Sequence, residues 1–97
     1  MIRSFRGPGT EDVFNGRSTK AARRCCPQDL WRVAGRKLER LDSAERLEDL
    51  RVPPGNRLEP LSGRRAGQHS LRINDRYRIC FLWTEEGPAS VEIVDYH

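Results

Sequence analysis

The apolar residues of this chain change their spacing once, at Pro53-Pro54-Gly55-Asn56, and that change sets the order of its elements. Before it, Leu30, Ala34, Leu38 and Leu41 recur at helical spacing, with Val33 beside them and Trp31 flanking. A stripe of this kind predicts an amphipathic helix from 28 to 42, with Pro27 at its first position and Arg32, Arg36, Lys37 and Arg40 off the stripe. Ser43-Ala44-Glu45 starts a shorter helix carrying Leu47 and Leu50, which the prolines end. After the switch the period is two. Arg57–Leu61 reads as a short strand, and 62–67 as a glycine-flanked turn presenting Arg64 and Arg65. His69–Asn74 alternates, Asn74-Asp75 is a hairpin signal, and Tyr77–Trp83 is apolar on both faces beyond Arg78, as a central strand should be. Glu85–Pro88 turns, and Ser90–Tyr96 is the last strand.

The first residues complete the picture. Ile2–Phe5 alternates as a strand, Gly7-Pro8-Gly9 breaks it, and Thr10 is the expected N-cap of a short helix ending near Asn15-Gly16. Residues 17–26 read as a loop or as the weak start of the next helix. Strand, helices, then an antiparallel meander is an α+β order. The expected architecture is an N-terminal strand and two to three helices packed on one face of a mostly antiparallel sheet, as a single domain over 1–97.

Composition narrows the function. Apolar residues make up 36% of the chain and charged residues 33%, so the core is modest and chemistry belongs on a face, not in a deep cofactor pocket. There is no bilayer-length apolar run and no secretory h-region, and three cysteines with no framework spacing suit a reducing, cytoplasmic setting. A metal site is not expected, since there is no C-x-x-C and the histidines are His69 and His97. Of the 18 basic residues 16 are arginine. Residues 51–78 hold seven arginines against Glu59 and Asp75, whereas 79–97 hold four acids and no lysine or arginine. Arginine grips phosphate oxygens in pairs and stacks on bases. The same composition also serves plain solubility, and composition leaves both readings open.

With helices on one sheet face, the other is left for a partner. Arg72 and Asn74 share one side of their strand, Arg78 lies across the hairpin, and Arg57, Arg64 and Arg65 border the surface. Such a strip suits single-stranded nucleic acid, and nothing here would read a major groove. The chain ends in Asp95-Tyr96-His97. Cleavage of RNA by its own 2′-hydroxyl needs a base, an acid for the leaving 5′-oxygen, and cations for the crowded phosphate. His97 titrates near neutrality, Tyr96 can donate to a leaving oxygen or orient the phosphate, Glu59 can accept a proton, and arginine supplies charge at any pH. Against this, a terminal histidine is commonly a frayed end and a strand tyrosine commonly core or rim.

Residues 55–81, GNRLEPLSGRRAGQHSLRINDRYRICF, with VEIVDYH at 91–97, resemble the HigB branch of the RelE/ParE toxin superfamily. The opening MIRSFRGPGTEDVF and the stretch LDSAERLEDLRVPPGNRLEPL fit the same family, so the likeness runs along nearly the whole chain. It implies a RelE-like α+β toxin of a type II toxin–antitoxin system, a ribosome-dependent mRNA endonuclease needing no cofactor. A helix-turn-helix antitoxin of HigA type would neutralise it, and it would meet DNA only through that antitoxin. The ribosomal A site and its mRNA are the implied targets. By resemblance Tyr96 is the cleavage tyrosine, Asp95 and His97 its neighbours, Arg78 the arginine near the scissile phosphate, and Arg76 an RNA contact. Two positions depart from the family loop L-H-P-L-K-G: Glu59 stands at its histidine and Ser62 at its lysine. A carboxylate can replace imidazole as proton acceptor, but serine cannot replace an ammonium as phosphate ligand, though Arg64 or Arg65 could reach over as substitute, which implies a weakened or retuned nuclease. Other readings stay open: a non-cleaving inhibitor of the ribosome or gyrase, or a partner whose basic face only meets the antitoxin. Apolar parts of the first two helices, around Phe14 and Trp31, are candidate antitoxin contacts, or simply core.

Overall fold

A computed structural model describes residues 1–96. The N-terminal segment runs parallel beside the last strand: Arg3 N donates to the Pro88 carbonyl at 2.8 Å, Val91 N to Ser4 at 3.1 Å and Arg6 N to Val91 at 2.9 Å. Among the described residues its one full bridge is Phe5 to Val91, so the expected strand over 2–5 is an edge segment held by the last strand across the length of the chain.

Helix α1 spans Pro8–Phe14. It begins earlier than the expected Thr10 cap because Gly7 adopts φ 91° and Pro8 is preset for the first turn. Thr10 is thereby drawn inside and buried, and its hydroxyl accepts a hydrogen bond from Ile93 N at 2.9 Å. Helix α2, Lys20–Cys25, occupies the stretch read as loop or weak helix. Thr19 caps it, accepting from Ala22 N at 3.1 Å while donating to Asp12 at 2.6 Å. The two helices cross closely at Gly9, where a Cβ would lie 2.6 Å from the Ala21 carbonyl oxygen. Helix α3 spans Trp31–Ser43 after a 3-10 turn at Gln28–Leu30, so Pro27 caps that turn and does not open the helix. The expected shorter helix is a 3-10 turn, Leu47–Arg51, and another follows at Pro54–Asn56. Buried Asn56 pins this segment. Its amide donates to the carbonyls of Leu50 and Val52 at 3.3 Å, and its oxygen accepts from Lys37 of α3 at 2.8 Å.

Four antiparallel strands follow in sequence order: β1 Glu59–Pro60, β2 Gln68–Arg72, β3 Tyr77–Thr84 and β4 Gly87–Asp95. β1 is shorter than the Arg57–Leu61 expected. Arg57 is in the left-handed region at φ 45°, capping the preceding turn, and Pro60 can sit only at an edge because it lacks an N–H. One sheet face carries Leu71, Ile79, Phe81, Val91 and Ile93 onto Ala34, Leu38, Leu41 and Leu50 of the helical layer, all at most 7% exposed. Each large side chain buried here contributes about 1.5–3 kcal/mol. Phe14 and Trp31 pack against this core, and Trp31 also donates to the Cys26 carbonyl at 3.1 Å. The result is an α+β fold with helices on one face of an antiparallel sheet. No helix among the described residues is long and apolar enough to cross a membrane.

Candidate active site

Register decides which side chains share the other face. Opposed residues in antiparallel strands point the same way. Glu59 pairs with Ser70, Ser70 with Cys80, and Cys80 with Glu92, which makes one row across all four strands. The next row is Arg72, Arg78 and Val94. A bulge between Cys80 and Leu82 shifts the β3–β4 register beyond this point.

Arg78 is the hub of the face. Its side chain is 18% exposed, and Nη1 donates to Ser70 Oγ at 3.3 Å and to Glu59 Oε2 at 3.5 Å. The guanidinium carbon lies 5.3 Å from the centre of the Tyr96 ring, a cation–π distance. Tyr96 is brought there by its backbone, whose N–H donates to the Arg76 carbonyl at 2.6 Å and so returns the chain to the start of β3. Tyr96 is 42% exposed. Tyr96, Arg78 and Glu59, singled out from sequence, therefore meet in space.

The other residues divide. Asp95 takes the Arg76 guanidinium through both oxygens, at 2.8 to 3.0 Å, and this carboxylate raises the Arg76 pKa above its ordinary value. Arg72 pairs with Asp75 of the hairpin. Its charge also reaches Lys37 of α3, whose pKa is lowered first by burial and then by Arg72. Arg65 is not presented outward as the turn suggested. It folds back, with Nη1 donating to Glu92 Oε1 at 2.9 Å and to Gln68 Oε1 at 3.2 Å, and the Glu92 bond raises its pKa. Arg57 and Arg64 are exposed and form no ion pair among the described residues. Ser62 is exposed just before the turn at Gly63–Arg65. His97 lies outside the described residues.

From sequence Ser70 falls on the Arg72 face without a role, and sequence reasoning passes over Gln68 and Glu92. Alternation alone puts Gln68 and Ser70 on the Arg72 side of β2, a signal that was present. Nothing local says that Arg65 meets a residue 27 positions on. Cys80 is buried on this face beneath the arginines, and burial pushes its thiol pKa up. Among the described residues no three metal-binding side chains gather. A concavity of about 330 Å³ between α1, α2 and Ile93 includes neither Arg78 nor Tyr96. With Glu59 and Tyr96 both exposed, the cluster lies at the open surface, a shape that suits a polymer chain lying across it.

Residues 4–97 match the model of a family described as the RelE-like toxin of the type II toxin–antitoxin system HigB. Toxin HigB-1 of Vibrio cholerae is 43% identical over 74 residues, covering 76% of this chain and 77% of that protein. An uncharacterized protein of Haemophilus influenzae is 38% identical over 57 residues, covering 59% of this chain and 56% of its own length.

Proposed function

The chain belongs to the HigB-like family of RelE-like toxins of type II toxin–antitoxin systems, and from that premise we propose that it is a ribosome-dependent endoribonuclease acting on mRNA in the cytoplasm. Membership implies an antitoxin partner, and the proposed partner is a separate helix-turn-helix protein. One observation carries the nuclease reading: a tyrosine, an arginine and a carboxylate from three different strand regions converge on an exposed face, with Arg78 touching both Glu59 and the Tyr96 ring.

The chemistry follows from what each group can do. Glu59 takes the proton of the 2′-hydroxyl as its oxygen bonds to phosphorus, and Arg78 holds the charge that gathers on the phosphoryl oxygens. The bond to the 5′-oxygen breaks, and that oxygen takes its proton from Tyr96 or from His97. The products are a 2′,3′-cyclic phosphate and a free 5′-hydroxyl. A site with no more than a carboxylate for its base gains most when the RNA is already held in attack geometry, as a message on the ribosome is.

Expression of the chain alone, with mapping of message 5′ ends, tests this. Wild type should give cuts positioned by the reading frame, while Tyr96→Phe and Arg78→Ala lose them. Growth arrest with an intact transcriptome, unchanged in Tyr96→Phe, would point instead to a non-cleaving inhibitor.

A further inference from the structure

One guanidinium on the open face is built in more firmly than the chemistry above requires. Arg65 belongs to a short turn, yet it is carried back over the sheet and held at both ends of β-structure. Glu92 of β4 takes one Nη1 proton and Gln68, the first residue of β2, the other. The Glu92 side chain is only 19% exposed, and Arg6 comes within 3.8 Å of the same oxygen. Immobilising so flexible a side chain costs rotamer freedom that its two acceptors must offset. Of the five N–H donors of the guanidinium, two are thereby used. Nε and Nη2 make no hydrogen bond among the described residues, and the side chain keeps 31% of its surface open.

Two further observations place it. Cys80, small and buried, lies on the sheet between Ser70 and Glu92, which bond to Arg78 and Arg65 respectively. Its thiol feels the positive charges of Arg65 and Arg78 alike, and the charge of Arg65 also couples to Tyr96. Arg65 is held by Gln68 and Arg78 by Ser70, alternate residues on one face of β2, so the two guanidiniums are neighbours on this face, with Arg78 against the phenol. Each is tied on its far side to a carboxylate, Glu92 or Glu59.

We propose that Arg65, positioned by Glu92 and Gln68, is a second phosphate-holding cation of this site, gripping an RNA phosphodiester together with Arg78. Glu92 touches no substrate and acts through Arg65. The proposal rests on the nuclease reading above, and its test separates the two. Lysine at position 65 would not substitute, because one ammonium cannot serve Glu92, Gln68 and a phosphate in the directions a planar fork allows.

The experiment uses the full chain and programmed ribosomes for single-turnover cleavage, and a short single-stranded RNA for binding over a range of salt. Arg65→Ala is expected to slow cleavage on the order of 100-fold, and Arg65→Lys to recover at most about tenfold. Glu92→Ala should fall as far as Arg65→Ala, and the double variant no further. A merely structural Glu92 would instead lower the melting temperature and add to the loss. Should Glu92→Ala not fold, Glu92→Gln, which keeps an acceptor oxygen but not the charge, should lose part of the rate and, combined with Arg65→Ala, lose no more than Arg65→Ala alone. In binding, Arg65→Ala should reduce the slope of log K against log salt by about 0.7. Wild-type cleavage and an unchanged slope in Arg65→Ala overturn the proposal while leaving the nuclease intact. If wild type cuts nothing, the nuclease reading fails and the slope alone decides: a reduced slope supports the phosphate contact, and a retained one ends it.

Discussion

Replacing Glu59 with glutamine removes one charge from the centre of the open face and keeps the side chain's shape. In the free protein Glu59 Oε2 lies 3.5 Å from Arg78 Nη1, with half of the Glu59 side chain open to water. A pair this exposed contributes about 0.2–1 kcal/mol, so the fold should lose no more than that. The same energy opposes any phosphate that must take Arg78 away from Glu59. Glu59→Gln is therefore expected to bind single-stranded RNA about 1.4- to 5-fold more tightly, the gain shrinking as salt rises. Cleavage moves the other way. An amide cannot accept the 2′-hydroxyl proton, and loss of a positioned base typically slows a reaction about 10²–10⁴-fold. Fluorescence anisotropy with a short RNA gives the first quantity, and a time course on ribosome-bound message gives the second from the same preparation. Tighter binding with slower cutting is a signature that a damaged fold does not produce. Weaker RNA binding by Glu59→Gln would show that the carboxylate does not compete with phosphate. Cleavage at the wild-type rate would show that the proton goes elsewhere.

Thr10→Val keeps the shape of a buried residue but strands the Ile93 N–H that its hydroxyl serves at 2.9 Å. A loss of about 1–3 kcal/mol is expected, read as a lower urea midpoint at unchanged slope, and an unchanged midpoint would contradict the accounting. The Cys25 thiol is held down at about 7, chiefly by its hydrogen bond with Cys26 and also by Thr10, against the opposing effect of burial. Burial, and after it the charge of Glu92, pushes Cys80 up against the opposing charges of Arg65 and Arg78. Native protein treated with iodoacetamide near neutral pH should therefore label at Cys25 first and at Cys80 only on unfolding, and peptide mapping showing equal rates would refute this. Finally, free single-stranded RNA at physiological salt should bind in the micromolar range or weaker. Nanomolar binding to a short oligonucleotide would mean that the ion pairs on the face offer no resistance.

Several features were legible in the sequence because a single strong physical signal governed them. The buried stripe Ala34, Leu38 and Leu41 follows from spacing alone. The hairpin follows from Asn74, whose side-chain oxygen accepts from Arg76 N at 2.9 Å and Tyr77 N at 2.7 Å. Alternation then places Arg72 opposite Arg78, as found. Boundaries were lost where two local signals compete. Thr10 looks like a cap, but Gly7-Pro8 starts the helix first. Residues 17–26 lack a stripe, yet Thr19 caps a helix whose Ala22 is fully buried. For the site, the meeting of Tyr96 with Arg78 came from the resemblance and from the order of strands. The grip of Glu92 on Arg65 could not, because it depends on the β4 register, which a bulge offsets, and on a turn folding inward.

Composition describes a strongly cationic strip, yet the fold presents something more guarded. Arg65, Arg72, Arg76 and Arg78 each hold a carboxylate, from Glu92, Asp75, Asp95 and Glu59 in turn. Binding a phosphate at Arg72, Arg76 or Arg78 is thus an exchange of one anion for another, and at Arg65 an addition beside Glu92, rather than capture by an open field, and each exchange gives up part of what it gains. A lone strand in solution makes such exchanges one at a time, with little net benefit. A strand held so that several phosphates arrive together makes them at once, and the entropy of holding it has been met elsewhere. On the nuclease reading, this is why a small toxin with a carboxylate for a base would cut only what the ribosome offers. The same pairs that weaken it toward free RNA also fix its arginines where the presented phosphate must lie.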